Sequence, residues 1–421
     1  MAKAAKLQSS FGWWVLLTST LSLAFSPGPM IFGSLGLFAP YLATEFAWSR
    51  GEIMLALTLF NIGGFLAAPY TGRLIDRLGA RTVILPSLLF LTAGFVALSY
   101  FASNLPTYYG IALAWGLLTV GSQSISYARL LVGWFPERRG MAIGVAAAGL
   151  GLGFMVAPLI VHGLLEVLPW RQAMVAFSGI VIVGPLLLNL AFAHPNPEEA
   201  ADRKGPSLEG ASLIEARRTQ AFWLVAVAIS LMASVLAGIV PHLVGIANDA
   251  GLTPRTATIL ASLYGAATLI GRLVVGMLVD RFPVARVGMV FFGLAAAGFA
   301  LLSLASTGAG GTPLLVAAAL TIGAGFGAES DLIAIFISRY FGQRAFGAIY
   351  GWFLSAFILG SAAGPAILGF GRDAFGGYRG LMIYAAVVSV ISVILVARLR
   401  KLPETQEDEM LRGPKRAVAT A

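Results

Sequence analysis

Long apolar runs separated by short polar stretches dominate the chain from residue 12 to residue 398. Each run is long enough to cross about 30 Å of hydrocarbon as an α-helix. The runs are solidly apolar, whereas membrane β-barrel strands would alternate apolar and polar residues. The pattern therefore predicts an all-α integral membrane protein with twelve transmembrane helices, at about 12–43, 50–76, 82–102, 107–134, 140–166, 171–193, 220–247, 255–280, 287–306, 313–340, 346–371 and 379–398.

A charged turn bounded by glycines occurs twice, about half a chain apart. The stretch from Gly72 to Arg81 is matched in degraded form by Gly276 to Phe282, which places Asp280 204 residues after Asp76 (280 − 76). A second pair of landmarks begins at Trp134 and Tyr340, with an offset of 206 (340 − 134). Two nearly equal offsets predict two similar halves joined in tandem, an architecture typical of transporters.

The longest polar stretch divides these halves. It runs from His194 to Gln220 and is rich in turn-forming residues, as expected of a linker. The predicted organisation is an N-terminal six-helix half (1–194), a cytoplasmic linker (195–218), a C-terminal six-helix half (219–402) and a charged cytoplasmic tail (403–421), which we expect to be disordered.

The composition is typical of an integral membrane protein and argues against several kinds of chemistry. Hydrophobic residues make up 58% of the 421 residues and charged residues only 11%, with a mean hydropathy of +0.85. The chain has no cysteine and three scattered histidines, so we expect no disulfide, no thiolate chemistry and no metal site. We also expect no cofactor.

The net charge of +9 reflects membrane topology and not a nucleic-acid surface, because the basic residues are dispersed at the ends of apolar runs. With both termini in the cytoplasm, twenty Lys and Arg residues fall in cytoplasmic loops and tails and five in outer loops. This asymmetry fits the positive-inside rule. The first apolar run lacks a small-x-small cleavage site and is interpreted as retained. The expected location is the cell (inner) membrane.

The repeated turn resembles the loop 2–3 signature of the major facilitator superfamily, Gly72-x-Leu74-x-Asp76-Arg77-x-Gly79-x-Arg81. The twelve helices and the central loop are similar to the layout of that family. The resemblance implies a secondary transporter that works by alternating access as a monomeric functional unit. It also implies that the motif locks the cytoplasmic faces of the halves together when the cavity opens outward. The gating candidates are Gly72, Asp76, Arg77, Arg81, Asp280, Arg281 and Arg129.

Three local features resemble the group of monocarboxylate transporters and oxalate:formate antiporters. They are Phe11-Gly12-Trp13-Trp14, the stretch Trp134-Phe135-x-x-Arg138-Arg139 with its small residues up to Gly149, and Arg272 followed by Gly276. Arg272 sits where that group carries its substrate-binding arginine. One turn earlier, where eukaryotic members often have aspartate, this chain has Thr268. Helices 1 and 11 lack the lysines that the resemblance would lead us to expect, so a monoanion is favoured over a dianion.

Three ionisable residues are expected near the middle of the membrane, where a charge is costly unless it faces protein or water. Arg272 presents a planar fork of donors suited to a carboxylate, although a permanent structural ion pair is the alternative. Glu329 and Asp331 are two residues apart, about 200° around a helix, and so cannot both face one cavity. We expect one to pair with Arg272 or face substrate and the other to meet a neighbouring helix. Either could carry a proton, or both could be structural.

Other polar residues could donate hydrogen bonds to a substrate or hold helices together. They are Gln123, Tyr127, Asn61, His242 and Tyr264. Arg129 could belong to an inner gate or could extend its side chain to the interface. The Ser26-Pro27-Gly28-Pro29 stretch should break the first helix, because proline lacks a backbone donor. Such a break is tolerated where it is buried or lines a cavity.

The sequence therefore predicts a carrier for a small organic anion, most simply a monocarboxylate, coupled to a proton or to a counter-anion and embedded in the lipid bilayer. The alternative is an exporter of a neutral or cationic compound, which Glu329 and Asp331 keep open. An intramembrane enzyme is disfavoured because no catalytic constellation lies at a common depth, and a receptor would need a larger soluble domain than residues 195–218 provide.

Overall fold

The computed structural model describes residues 2–135, 139–194, 196, 210–279, 281–305, 311–342 and 345–399. Within these residues the secondary structure is helical, with one isolated bridge between Gly210 and Gly342. The α-helices are α1 (Ala2–Ala24), α2 (Gly33–Phe46), α3 (Arg50–Leu78), α4 (Ala80–Phe101), α5 (Leu105–Thr119), α6 (Ser124–Trp134), α7 (Arg139–Val167), α8 (Trp170–Phe192), α9 (Leu213–Arg218), α10 (Gln220–Ile239), α11 (Leu243–Asp249), α12 (Pro254–Val279), α13 (Val284–Ala305), α14 (Gly311–Tyr340), α15 (Phe346–Phe375) and α16 (Arg379–Ala397).

The predicted all-α membrane architecture is confirmed, with one correction. Eleven helical stretches in the described part of the chain are long and apolar enough to cross a membrane. The predicted segment 107–134 is not continuous: α5 passes into a 3-10 turn at Val120–Ser122, and Gln123 is extended (ψ 179°) before α6 begins. Gly121 lies so close to Val83 and Ser87 of α4 that a Cβ atom would overlap them. Glycine therefore lets the turn lie directly against α4.

The predicted break in the first segment is confirmed. α1 ends at Ala24, and a π-helical turn at Gly28–Phe32 leads into α2. The seventh segment bends in a similar way at a 3-10 turn, Val240–His242, which contains Pro241. α2, which follows the first break, packs against the second, because a Cβ atom on Gly36 would overlap the carbonyl oxygen of Pro241.

Two antiparallel helix pairs, α3 with α15 and α7 with α12, form most of the contact between helices α1–α8 and helices α10–α16, which are called here the N-terminal and C-terminal halves. In the first pair Gly369 lies against Gly51, and Thr58 donates a hydrogen bond to the carbonyl oxygen of Ala362 at 2.5 Å. Gly51 and Thr58 are seven residues apart on α3, and Gly369 and Ala362 are seven apart on α15. Seven residues make about two helical turns, so both residues of each helix lie on the same face.

The second pair, α7 with α12, shows the same kind of regular register. Gly151 faces Leu269, and four residues away on each helix Gly265 lies against Met155 so closely that a Cβ atom would overlap its backbone. The face of α12 that meets α7 therefore runs through residues 265 and 269, and helical periodicity carries it on to 272 and 276. The matching face of α7 runs from 155 and 151 to 148 and 144.

The halves are joined at one end of the bundle, called here the closed end, which carries Arg50 of α3 and Asp373 of α15. At the opposite end, called the far end, Cβ atoms added to Gly72, Gly144 and Gly276 would meet nothing within 4 Å. A separate cluster of buried apolar residues, including Ile75 and Ile84, fills the N-terminal half there, whereas the main core extends through both halves. The two halves thus share a core only towards the closed end.

The end of the predicted linker packs on the C-terminal half. The Ala211 amide donates to the carbonyl oxygen of Phe341 at 2.8 Å, and Ser212 caps α9 in a reciprocal capping box with Glu215. The polar centre of the predicted linker and the predicted tail at 403–421 lie outside the described residues.

Candidate functional site

A buried ion pair joins α12 to α14. Nη1 of Arg272 donates to Oδ1 of Asp331 at 2.8 Å, and the two side chains are 6% and 25% exposed. The arginine is therefore enclosed while its carboxylate partner remains partly open. Removing one member of such a pair leaves a charge in a poorly solvated place, a change that typically costs about 3–5 kcal/mol.

Glycines bring the two helices close enough for this pair. A Cβ atom on Gly271 would overlap the carbonyl oxygen of Ala324, and one on Gly327 would overlap that of Thr268. The backbones of α12 and α14 can approach this closely because neither glycine has a side chain. Arg272 consequently reaches the adjacent helix and not a partner on its own helix.

Arg272 also lies on the face of α12 that meets α7. It follows Gly265 by seven residues, so the face that contacts Met155 continues through the arginine. The facing position of α7 is the small residue Ala148, which is 9% exposed. Arg272 thus lies one helical step beyond the contact of Gly151 with Leu269, towards Gly276, where a Cβ atom would meet open space.

The two carboxylates of α14 take different environments, as their spacing predicts. Asp331 pairs with Arg272, whereas Glu329 is 0% exposed and faces the interior of the helix bundle. Among the described residues neither carboxylate oxygen of Glu329 has a hydrogen-bond partner. Tyr264 of α12 lies within electrostatic range of it. A charge on Glu329 would be costly in this place.

Tyr350 of α15 is a site residue that the sequence analysis did not identify. It interacts electrostatically with both Asp331 and Arg272, and it brings a third helix to the ion pair. Its only signal in the sequence is a phenol just inside the predicted helix 346–371. Because α15 also contacts α3, Tyr350 links the ion pair to a helix that packs against the N-terminal half.

Two predicted substrate contacts, Tyr264 and Tyr127, are buried between helices. The hydroxyl of Tyr264 donates to the carbonyl oxygen of Leu236 on α10 at 3.1 Å. Tyr127 is 0% exposed and lies beside Ser22 and Asn189, where Asn189 donates to the Ser22 hydroxyl at 2.7 Å. Both arrangements correspond to the interhelical alternative.

Three further predicted contacts are dispersed. Asn61 is half-buried and donates to the carbonyl oxygen of Leu57 on its own helix at 3.0 Å. Gln123 is half-buried at the break before α6. His242 is 1% exposed, and both of its ring nitrogens have partners near the closed end. The structure therefore does not gather these residues around Arg272.

Of the predicted gating residues, Arg81 makes well-defined contacts within its own half. Its guanidinium donates to the carbonyl oxygen of Leu190 at 2.6 Å and lies 2.8 Å from Nδ1 of His194. Burial and the nearby Arg81 charge lower the pKa of His194. Arg77, Arg129 and Arg281 are exposed, and Gly72 faces open space. Asp76 belongs to the last turns of α3, and Asp280 lies outside the described residues.

The closed end carries a polar network between the halves that sequence reasoning missed. Arg50 of the N-terminal half donates to the Tyr378 hydroxyl at 2.9 Å and pairs with Asp249 at 3.4 Å. The Gly51 amide donates to Asp373 at 2.8 Å. Arg372 pairs with the second oxygen of Asp249 at 3.4 Å. The only signal in the sequence is a set of charges in predicted outer loops.

Comparison with known proteins gives a consistent result. The Major Facilitator Superfamily is matched over residues 21–244 and again over 223–419. Similar proteins include human monocarboxylate transporter 11, 28% identical over 93% of this chain and 84% of its own length. Bovine monocarboxylate transporter 13 is 27% identical over 91% and 88%. The uncharacterised transporter YhjX of Escherichia coli K12, described as of the MFS type, is 25% identical over 83% and 85%.

A solved structure has the same fold. It is a bacterial homologue of the human lysosomal transporter Spinster in an inward-facing, unoccupied conformation, with a TM-score of 0.62 and 18% identity over 92% of this chain and 94% of that chain. At this identity the likeness concerns the fold alone.

Proposed function

The chain belongs to the major facilitator superfamily of transporters, and on that premise we propose that it moves a small organic anion, a monocarboxylate, with Arg272 as the group that binds the carboxylate. The observation that carries the proposal is the Arg272–Asp331 pair: an enclosed guanidinium whose carboxylate partner is partly exposed. A guanidinium matches a carboxylate with two parallel hydrogen bonds. The similarity to monocarboxylate transporters 11 and 13 supports the same substrate class.

In this proposal Asp331 is the counter-charge that the substrate replaces. Eukaryotic members of the resembled group often carry an aspartate one turn before the arginine, and here that position is Thr268. Asp331 of the neighbouring helix occupies the role of partner instead. When a proton neutralises Asp331, Arg272 is released to bind a carboxylate, so proton and anion enter together. Exchange of one anion for another is the alternative, in which each anion displaces Asp331 directly.

Glu329 is the second candidate proton carrier. Its carboxyl group is enclosed between helices and lies in electrostatic range of Tyr264. In the proposed cycle it exchanges a proton only when α14 moves relative to α12. In the observed conformation Tyr127, Tyr264 and His242 are buried between helices, Asn61 bonds within its own helix and Gln123 lies at the break before α6. Tyr350 supplies a phenol beside the ion pair.

The proposed alternating access makes use of the register of the two helix pairs. Residues 155 and 151 of α7 contact residues 265 and 269 of α12. The next facing positions are residue 148 with residue 272 and residue 144 with residue 276. Closing the gap between Gly144 and Gly276 would cover Arg272 from the far end. On α3 and α15, Thr58 faces Ala362. Seven residues further along each helix, residue 65 of α3 should face residue 355 of α15, and after a second step of seven, residue 72 should face residue 348. The open space at Gly72 is therefore where α15 would pack.

The motif residues then act as a lock in the other conformation. We assign Gly72, Asp76, Arg77, Arg81, Arg281 and Arg129 to the far end, which faces the cytoplasm if the twenty basic residues obey the positive-inside rule. Asp280, which lies outside the described residues, is proposed for the same lock from the sequence motif alone. The protein would work in the cell (inner) membrane as a monomeric unit, with both termini in the cytoplasm. The observed conformation would accordingly be the inward-facing one.

The proposal is tested by uptake into proteoliposomes of lactate, pyruvate, formate, oxalate and aromatic carboxylates. Wild type should accumulate a monocarboxylate when the outside is acidic, and Arg272→Gln should not. Arg171→Gln is the matched control, because Arg171 also pairs with a carboxylate, Glu45, at 2.6 Å but lies outside the site. Uptake by Arg272→Gln equal to that of the control would exclude Arg272 as the anion-binding group.

The buried carboxyl of Glu329 favours one second candidate, export of a neutral or cationic compound. An organic cation would use Glu329 as its counter-charge. The two candidates are separated by the same variants. Transport of a cation would be lost in Glu329→Gln and retained in Arg272→Gln.

A further inference from the structure

His242 occupies the centre of a hydrogen-bonded chain that runs from one half to the other. Its Nε2 lies 3.0 Å from the carbonyl oxygen of Pro365, and its Nδ1 lies 2.8 Å from the hydroxyl of Tyr378. The Tyr378 hydroxyl also accepts from Arg50 of α3, at 2.9 Å. The chain therefore joins α3 of the N-terminal half to α15 and to the start of α16.

The partners fix where the hydrogens are. A carbonyl oxygen can only accept, so Nε2 of His242 carries a hydrogen and donates to Pro365. The Arg50 guanidinium can only donate, so the Tyr378 hydroxyl accepts from it and gives its own hydrogen to Nδ1. Burial raises the pKa of Tyr378, which keeps that hydrogen in place. The bond from the Tyr378 hydroxyl to Nδ1 therefore requires His242 to be neutral.

The charges around His242 balance without it. Arg50 and Arg372 are offset by Asp249, which pairs with both arginines, and by Asp373, which accepts from the Gly51 amide. Glu52, which accepts from the Ser49 amide in the first turn of α3, offsets Arg379, which is exposed at the start of α16, and Glu45 of α2 is held by Arg171. A proton on His242 would therefore add an unbalanced positive charge.

A proton arriving at Nδ1 would also reverse the hydrogen bond to Tyr378. The ring nitrogen would become a donor, and the Tyr378 hydroxyl hydrogen would lose its acceptor. The new imidazolium is 1% exposed and would be near the Arg50 guanidinium, so the two like charges would repel in a place with little water. Both effects weaken the contact of Arg50 with the C-terminal half.

We propose that His242 is a proton-binding site that releases the closed end, so that protonation of this residue favours separation of α3 from α15. The function is distinct from substrate binding at Arg272. It rests on the proposed opening of the closed end but not on the identity of the anion. When the proton leaves, Nδ1 can accept from Tyr378 again and the closed end reforms.

The test measures the distance across the closed end as the pH changes. The chain has no cysteine, so two introduced cysteines can carry spin labels without background. Ser103→Cys lies in an exposed loop of the N-terminal half and Phe375→Cys, 77% exposed, at the end of α15. Double electron–electron resonance of the full chain in nanodiscs then gives the distance between them. The pair Arg255→Cys with Phe375→Cys lies within the C-terminal half and serves as the control.

As the pH is lowered from 8 to 5, a population with a longer distance across the closed end should increase in the protein that retains His242. The distance of the control pair should not change. His242→Gln keeps a donor for Pro365 and an acceptor for Tyr378 but does not titrate in this range. It should retain the pH 8 distance throughout. An identical pH response in His242→Gln would overturn the inference.

Tyr378→Phe provides a second variant that removes only the hydroxyl group. It should show the longer distance at both pH values, because Arg50 and His242 lose their common partner. If Tyr378→Phe opens the closed end while the protein with His242 and Tyr378 intact ignores pH, the role of His242 is wrong and the proposed alternation stands. If no variant and no pH lengthens the distance, the opening of the closed end is itself wrong, and carboxylate binding at Arg272 is judged by its own assay.

Discussion

Arg272 of α12 binds Asp331 of α14 at 2.8 Å, across two helices and not within one. The position one turn before Arg272 is Thr268, whose hydroxyl donates to the carbonyl oxygen of Tyr264 on its own helix at 2.9 Å. The counter-charge of the arginine therefore depends on how α12 and α14 pack, which Gly271 and Gly327 permit. A movement of α14 would change the electrostatic environment of Arg272 directly.

Asp331→Asn should separate proton coupling from anion binding. The amide still accepts from Arg272 but carries no charge, so the carboxylate of a substrate meets less competition. We expect exchange of labelled for unlabelled monocarboxylate within a few-fold of wild type, together with loss of accumulation driven by a pH gradient. Accumulation that persists in Asp331→Asn would assign the proton to another group, and Glu329→Gln is the variant to compare next.

Gly144 and Gly276 should meet when the far end closes. In the double variant Gly144→Cys/Gly276→Cys the Cα atoms would have to come within about 7 Å for a disulfide to form. Oxidation should therefore link them only in the conformation opposite to the observed one, and the linked protein should not transport. Val145→Cys with Gly276→Cys is the matched control, since residue 145 is about 100° away around the helix. Equal cross-linking of both pairs would rule out the register derived from 155/265 and 151/269.

Bulk at Gly144 should impair transport without destabilising the observed conformation. A Cβ atom there meets open space, so Gly144→Val should leave the melting temperature nearly unchanged while uptake falls at least several-fold. Gly163→Val, exposed on the same helix and equally free of neighbours, should leave both unchanged. Gly149→Val should instead lower the melting temperature, because a Cβ atom would overlap the carbonyl oxygen of Thr20, and overpacking costs about 1–3 kcal/mol. A normal transport rate in Gly144→Val would argue against closure at this position.

Asp76→Asn should slow transport but leave carboxylate binding largely intact. The resemblance places Asp76 in a lock at the far end and not at the Arg272 site. Along α3 it lies about seven helical turns from Arg50 of the closed end. The measurement compares the uptake rate with the binding affinity for one monocarboxylate. A parallel loss of both would show that the motif and the anion site do not have separate roles.

Much of the fold could be predicted from the sequence because a membrane helix needs about 20 consecutive apolar residues, and runs of that length are easily recognised. The last two predicted segments, 346–371 and 379–398, agree with α15 and α16 to within four residues. The break after α5 could not be predicted in this way, since it contains no proline. It depends on Gly121 lying against Val83 and Ser87 of another helix, and such contacts are not encoded in the periodicity of a single segment.

The candidate site was predictable only in part. Helix geometry required Glu329 and Asp331 to face different ways, but the choice of Asp331 as partner depends on the register of α12 against α14. Tyr350, Tyr378 and Arg50 were missed because their contacts join distant parts of the chain: 136 residues separate His242 from Tyr378 and 328 separate Arg50 from Tyr378. No local pattern records these pairings.

Binding of the substrate carboxylate by Arg272 can be measured at equilibrium with the purified protein. Isothermal titration of the transported monocarboxylate should give saturable binding to wild type and to Arg171→Gln. It should give binding to Arg272→Gln weakened at least tenfold, with Arg272→Lys intermediate, because lysine keeps the charge but loses the planar fork. Equal affinity in wild type and in a folded Arg272→Gln would contradict the account.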